Sequence, residues 1–189
     1  MWVLNYANGL GGTGKWKQLS PRGSLPPARA FAAAIYNSSA NELVVYGGTN
    51  GDALSDVWVL SGANGTTKTS SWSQESPTGT APPARYGAAS GYDSVNDRMI
   101  VNSGYTTQGI LGDTWVLVNA TGAGGSPSWN EVSSTNSGPQ NYFQSGVYDA
   151  SENELVVFAG ISERAPRPDI ADDHVYVLGE ANGLTTSIR

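Results

Sequence analysis

Residues 56–60 read Asp56-Val57-Trp58-Val59-Leu60, and the phrase returns as Asp113-Thr114-Trp115-Val116-Leu117 and His174-Val175-Tyr176-Val177-Leu178. A shortened copy, Trp2-Val3-Leu4, opens the chain. The aromatic residues Trp2, Trp58, Trp115 and Tyr176 lie 56, 57 and 61 residues apart. A second series, Trp16, Trp72 and Trp129, keeps intervals of 56 and 57. Tyr36, Tyr92 and Tyr148 are 56 apart, as are Gly48, Gly104 and Gly160. Four markers in one register make chance a poor account, so the chain is a repeat. The longer last interval places an insertion in the final copy.

Each period divides into four short apolar runs. In the first full copy these are Ala30–Tyr36, Glu42–Tyr46, Val57–Leu60 and Ser71–Gln74. They are rich in β-branched and aromatic residues and are separated by Gly, Asn, Ser and Pro, the pattern of strands joined by turns. Strands are expected near 30–36, 42–48, 56–60, 71–75, 86–92, 97–103, 113–118, 127–132, 142–148, 153–159 and 174–178. Four consecutive antiparallel strands make a small sheet with two apolar faces. Stacking copies face to face around an axis buries both, which predicts an all-β propeller.

The order of small apolar strand, strand ending in Gly-Gly, Asp-x-Trp-x-Leu strand and isolated Trp resembles the kelch repeat. Pro27-Ala28-Arg29-Ala30-Phe31 and Pro83-Ala84-Arg85-Tyr86-Gly87 resemble the kelch approach to the innermost strand. The resemblance runs from Trp2 to Leu178 and implies kelch-type blades of four antiparallel strands, about three per chain. The units are a part blade 1–20, blades 28–76 and 84–132, and a part blade 140–189. It implies packing between blades for Trp2, Trp16, Trp58, Trp72, Trp115 and Trp129, and a blade-junction role for Arg29 and Arg85. The copies also diverge. Gly47-Gly48 becomes Ser103-Gly104 and then Ala159-Gly160, Gln140-Asn141 replaces Ala-Arg, and His174 falls where Asp56 and Asp113 stand. On this reading the last blade lacks the arginine's role.

Composition excludes several functions. The net charge is -6 and no Lys/Arg run is present, so nucleic-acid binding is not expected. Charged residues are 14% against about 25% for an average domain. Cysteine is absent, which removes disulfides, thiolate metal sites and Cys nucleophiles. No apolar run approaches the ~20 residues of a membrane span. Few lysines and Ser/Thr/Asn/Gly-rich loops are similar to secreted microbial proteins, so an extracellular location is expected, although the chain shows no signal peptide.

Catalytic chemistry finds little support. His174 is the sole histidine and cannot build a His-rich metal site. Asp169, Asp172 and Asp173 match no calcium-loop spacing, and Pro168 restricts the turn between them. Gly9–Lys15 lacks phosphate-loop spacing, because Trp16 follows the lysine. Kelch-fold copper oxidases similar to galactose oxidase need a Cys-linked Tyr that this chain cannot supply. No catalytic residue, cofactor or metal is therefore assigned. The best candidate ligand site is the long charged loop 161–173 with its neighbour at the strand start: Glu163, Arg164, Arg167, Asp169, Asp172, Asp173 and His174. Tyr105, in the corresponding loop of the preceding copy, joins it as an exposed rim aromatic. A protein or a carbohydrate is the kind of ligand such a rim would take.

Naming the strands a to d from the axis outward, the chain reads c-d, a-b-c-d, a-b-c-d, a-b-c. Three blades leave an incomplete ring, unless chains assemble or the chain is part of a longer protein. The spare tryptophan strand at 15–19 and the missing last strand favour a homo-oligomer, either two chains sharing about six blades or a fibre. The function expected is a non-catalytic binding or assembly module. A sugar-active kelch-type enzyme and a structural subunit of an extracellular fibre are the alternatives.

Overall fold

The computed structural model describes residues 1–67, 69–135, 138–164 and 167–184, with the side chains of 163–170 left out. The chain is all-β, with no helix among the described residues. A hairpin comes first, β1 (Trp2–Asn5) with β2 (Lys15–Gln18), followed by a short β3 (Arg22–Gly23). The first sheet contains β4 (Ala33–Asn37), β5 (Glu42–Tyr46), β6 (Val57–Ser61) and β7 (Ser71–Glu75). The second contains β8 (Ala89–Asp93), β9 (Arg98–Asn102), β12 (Thr114–Val118) and β13 (Ser128–Val132), interrupted by a small hairpin, β10 (Tyr105–Thr106) with β11 (Gly109–Ile110). The third contains β14 (Ser145–Asp149), β15 (Glu154–Phe158) and β18 (Val175–Gly179), interrupted by a hairpin of β16 (Ile161–Arg164) and β17 (Arg167–Ala171). No sheet closes on itself.

The register repeats with the sequence. Leu4 pairs Trp16, Leu60 pairs Trp72 and Leu117 pairs Trp129. The turns repeat as well. Asn37, Asp93 and Asp149 each accept a hydrogen bond from the backbone N–H two residues on, the Asx geometry that starts a tight connection. Asn41, Asp97 and Asn153 close those turns with φ of 57°, 50° and 56°, a region that Asn and Asp tolerate better than most residues.

The sheets stack. One face of sheet one, carrying Ile35, Val44, Tyr46, Val57 and Val59, forms a buried core with Met99, Val101, Trp115, Leu117 and Trp129 of sheet two. The Tyr46 and Trp129 rings meet edge-on at 4.8 Å. Ile100 and Val116, on the other face of sheet two, pack on Leu155 and Val157 of sheet three. Burying an aliphatic side chain of this kind contributes about 1.5–3 kcal/mol, so the two interfaces dominate stability. The innermost strands β4, β8 and β14 lie side by side. Their approach segments are tied by backbone bonds, Gly87 N to Phe31 O at 2.8 Å and Phe143 N to Gly87 O at 2.7 Å.

Several expectations are corrected. The inner strands begin at Ala33, Ala89 and Ser145, three residues later than expected. Phe31, Gly87 and Phe143 take φ of 55°, 66° and 60°, which breaks the strand just before it. Of the glycine pair, only the second member persists. A Cβ at Gly48, Gly104 or Gly160 would sit within 3.0 Å of the carbonyl oxygen of Ala30, Tyr86 or Tyr142. At the first position Ser103 and Ala159 hold φ of 60° and 62° where Gly47 has 63°, although a Cβ at Gly47 itself would stand 2.6 Å from the Arg85 carbonyl oxygen. The expected loop 161–173 is largely the hairpin β16–β17.

The tryptophans divide. Trp58, Trp115 and Trp129 are buried and Trp72 is half-buried, whereas Trp2 and Trp16 are 58% and 62% exposed. Among the described residues nothing covers the face of the β1–β2 hairpin that carries the last two, so the packing role expected for them is not seen there. Trp115→Ala is predicted to destabilise by about 3–5 kcal/mol in denaturant unfolding, while Trp2→Ala and Trp16→Ala each change the monomer by under ~1 kcal/mol. Equal losses at all three would refute the assignment of the core.

Candidate functional site

The residues expected at the blade junctions form a repeated carboxylate clamp. The Arg85 guanidinium donates to Asp113 Oδ1 at 2.6 Å and Oδ2 at 2.8 Å, and also to the Ser103 and Pro83 carbonyls. Trp115 Nε1 donates to the same carboxylate at 2.7 Å. Arg29, Asp56, Trp58, Gly47 and Pro27 repeat the arrangement, with Arg29 to Asp56 at 2.5 and 2.8 Å. The arginine therefore fixes the approach to the inner strand, the end of the second strand and the start of the third at one point. Two parallel bonds in a site this buried are the strong form of the ion pair. The Arg85 side chain is 1% exposed, which leaves it no face for a ligand.

The third copy lacks the arginine yet keeps the clamp. Asn141 Nδ2 donates to the Ala159 carbonyl at 3.3 Å and to Asp172 Oδ2 at 2.8 Å. Tyr176 Oη donates to the same oxygen at 2.7 Å. The carboxylate comes from Asp172, two residues before the register position held by His174. The reason is reach: an indole N–H meets a carboxylate two residues upstream, whereas a phenol oxygen extends further and meets one four residues upstream. The expectation that this blade lacks the arginine's role is thus corrected.

The carboxylates are held in the charged form. The hydrogen bonds from Arg29 hold Asp56 below the usual carboxylate range, ahead of the opposing effect of burial. At Asp113 burial is the largest influence and pushes upward, but the Arg85 bonds and charge outweigh it and the net direction is down. At Asp172 burial likewise opposes, and donation from Tyr176, Asn141 and His174 wins, leaving it far below the usual range. Tyr46, whose Oη donates to the Pro82 and Pro83 carbonyls, is pushed up to about 12, chiefly by burial.

Asp172, Asp173 and His174 bring their ligand atoms within 4.8 Å of one another. His174 is exposed, with Nδ1 at 2.5 Å from Asp172 and 3.5 Å from Asp173. Asp172 is already committed to its internal donors. The side chains of Glu163, Arg164, Arg167 and Asp169 lie outside the described residues. Their backbone forms the β16–β17 hairpin, with Arg164 opposite Arg167.

Tyr105 is not an isolated rim aromatic. Its ring lies 5.5 Å from Tyr86 and 5.0 Å from Tyr142. Tyr142 continues to Phe143 at 4.6 Å, and Phe143 to Phe31 at 4.5 Å. Five rings from three sheets thus join beside the inner strands. Gly87 makes this contact possible, since a Cβ there would stand 2.7 Å from Phe143 Cδ1. Phe31 and Phe143 stay exposed and border a shallow hollow of about 310 Å³ with Gln144, whose buried Oε1 has no partner among the described residues. The cluster was missed in the sequence although its positions 31, 87 and 143 keep the 56-residue interval.

No model of a known protein family matches the chain, and no curated protein matches it. Among solved structures it is similar to that titled "Structure of YjhT", at a TM-score of 0.54 and 18% identity, over 87% of this chain and 49% of that one. The chain thus spans about half the length of that structure, and the likeness concerns the fold.

The clamp predicts acid sensitivity. A folded-state pKa below the unfolded value contributes stability that is complete above about pH 4 and is lost as pH falls toward the folded value. Unfolding free energy is expected to fall steeply below about pH 4. In Asp56→Asn/Asp113→Asn it should be lower at pH 7 and flatter through the acid range. A double variant with an unchanged acid slope would show that the clamp does not carry the linkage.

Proposed function

We propose that the chain is a non-catalytic kelch-type propeller module whose work is binding and assembly, and that it completes its propeller by self-association through strand exchange. The observation that carries this reading is a mismatch between the two ends of the stack. The third sheet has three strands, with β18 at its outer edge among the described residues. Its front carries Val147, Phe158, Val175 and Val177, each 50–63% exposed. The positions one and two periods earlier are buried by the next sheet. At the opposite end the β1–β2 hairpin, a sheet of two strands, offers an exposed tryptophan strand. An open strand edge and a bare apolar face both favour pairing with another chain.

Length supports the stoichiometry. One chain spans 49% of the YjhT chain, so two span about the whole of it. The non-catalytic reading is supported by the carboxylates of the clamp, which are committed to internal donors. The extracellular setting and the fibre remain part of the proposal on composition and on the heterologous form of the contact, which closes into a ring or continues without end. A second reading, a module or enzyme acting on sugars, is favoured by one observation, the exposed Phe31 and Phe143 rings beside the axis, since such faces stack on sugar rings.

Light scattering coupled to gel filtration tests the first reading. A mass of two chains or more is expected, and deletion of residues 1–20 should reduce it to one. A stable, folded monomer at high concentration would refute self-association. A glycan array tests the second, with binding expected to fall in Phe31→Ala/Phe143→Ala.

A further inference from the structure

The outer strands of the two complete sheets are held on both sides. β7 pairs antiparallel with β6 and parallel with Arg22–Gly23. β13 pairs antiparallel with β12, and its Ser128 bridges Thr78 in parallel. One period later Ser134 occupies the position of Arg22 and Thr78, and Leu178 that of Leu60 and Leu117. Between them runs a groove of about 550 Å³, walled by residues 131–135 and 177–180. A smaller cavity of about 90 Å³ shares Ser134, Val177 and Leu178 with it and reaches Asn102 and Thr114 of sheet two. Asn102 is the register equivalent of Tyr46, the residue against which Trp129 packs. The cavity therefore lies where the tryptophan of a fourth strand would project.

We propose that this groove is a seat for an extended, tryptophan-bearing strand, and that its occupant is β2 (Lys15–Gln18) of a second copy of this chain. The source of the strand rests on the strand-exchange reading; the groove does not. In its own hairpin Trp16 pairs Leu4, and in the groove it would pair Leu178, the same residue type at the same register. Charge selects this strand over the others. Lys15 and Lys17 flank Trp16, whereas Ser71 and Ser73 flank Trp72, and Ser128 and Asn130 flank Trp129. Glu131 and Glu180 line the groove and face such a cationic strand with opposite charge. Thr135 stands where Gly23 and Gly79 approach a tryptophan carbonyl closely, so the seated strand stands further from Thr135 than β7 and β13 stand from those glycines.

The test uses a dye-labelled peptide of residues 14–20 titrated with the full chain, read by fluorescence anisotropy. Saturable binding is expected, weakened at least about tenfold when the peptide's tryptophan becomes alanine. Lys15→Glu/Lys17→Glu in the peptide should weaken binding, and Glu131→Lys/Glu180→Lys in the chain should restore it. No saturable binding, or equal binding of the alanine peptide, overturns the proposal. Tryptophan-dependent binding to a chain that stays monomeric at high concentration supports the groove and removes the strand-exchange reading. A dimer whose mass is unmoved by Trp16→Ala and by the charge swap overturns the groove and leaves self-association standing.

Discussion

A half-buried carboxylate ahead of each of β6, β12 and β18 is the constraint on which the architecture depends. Asp113 receives Arg85 through two bonds and Trp115 through a third, while Arg85 also reaches the Ser103 carbonyl. One anion thereby sets the position of three chain segments that are far apart in sequence. Removal of the carboxylate would strand the Arg85 guanidinium, whose side chain is 1% exposed, without its counter-charge. The tryptophan plays a double part. Its N–H completes the carboxylate, and its ring fills the interface with the preceding sheet, so electrostatics and packing are fixed by the same side chain.

The third copy shows which parts of that constraint are essential. Arginine, aspartate and tryptophan become Asn141, Asp172 and Tyr176, and all three identities or positions shift. What persists is a carboxylate that accepts from the inner approach segment and from the aromatic of the third strand. The neutral amide brings no opposing charge, and among the described residues this copy is also the one whose sheet has three strands and an exposed front. The glycine pairs follow the same logic. The second position, which faces a backbone carbonyl in all three copies, stays glycine, and the first, left-handed in all three, accepts Ser103 and Ala159.

The period, the sheet count and the identity of the packing aromatics were legible because each leaves a mark at fixed spacing. Interval put Trp58, Trp115 and Trp129 at equivalent strand positions together with Trp2, Trp16 and Trp72, and the resemblance implied packing for all six. Trp2 and Trp16 could not be separated from them, since burial depends on whether a neighbouring sheet exists. The start of each inner strand was misplaced because a φ reversal at Phe31 and Phe143 carries no residue signature. The shift from His174 to Asp172 was equally hidden, as it depends on the length of a phenol against an indole. The Phe31–Gly87–Phe143 alignment was present in the spacing but mixed residue types concealed it.

Each of the two cores is made by sheets adjacent in sequence. Sheet one forms its core with sheet two, and sheet two with sheet three. Energy so distributed is mostly a sum over neighbours, as in a one-dimensional lattice, to which the Phe31–Phe143 ring contact adds a link between the first copy and the third. Under mechanical load applied at its ends, such a chain yields one sheet at a time, starting from a terminus.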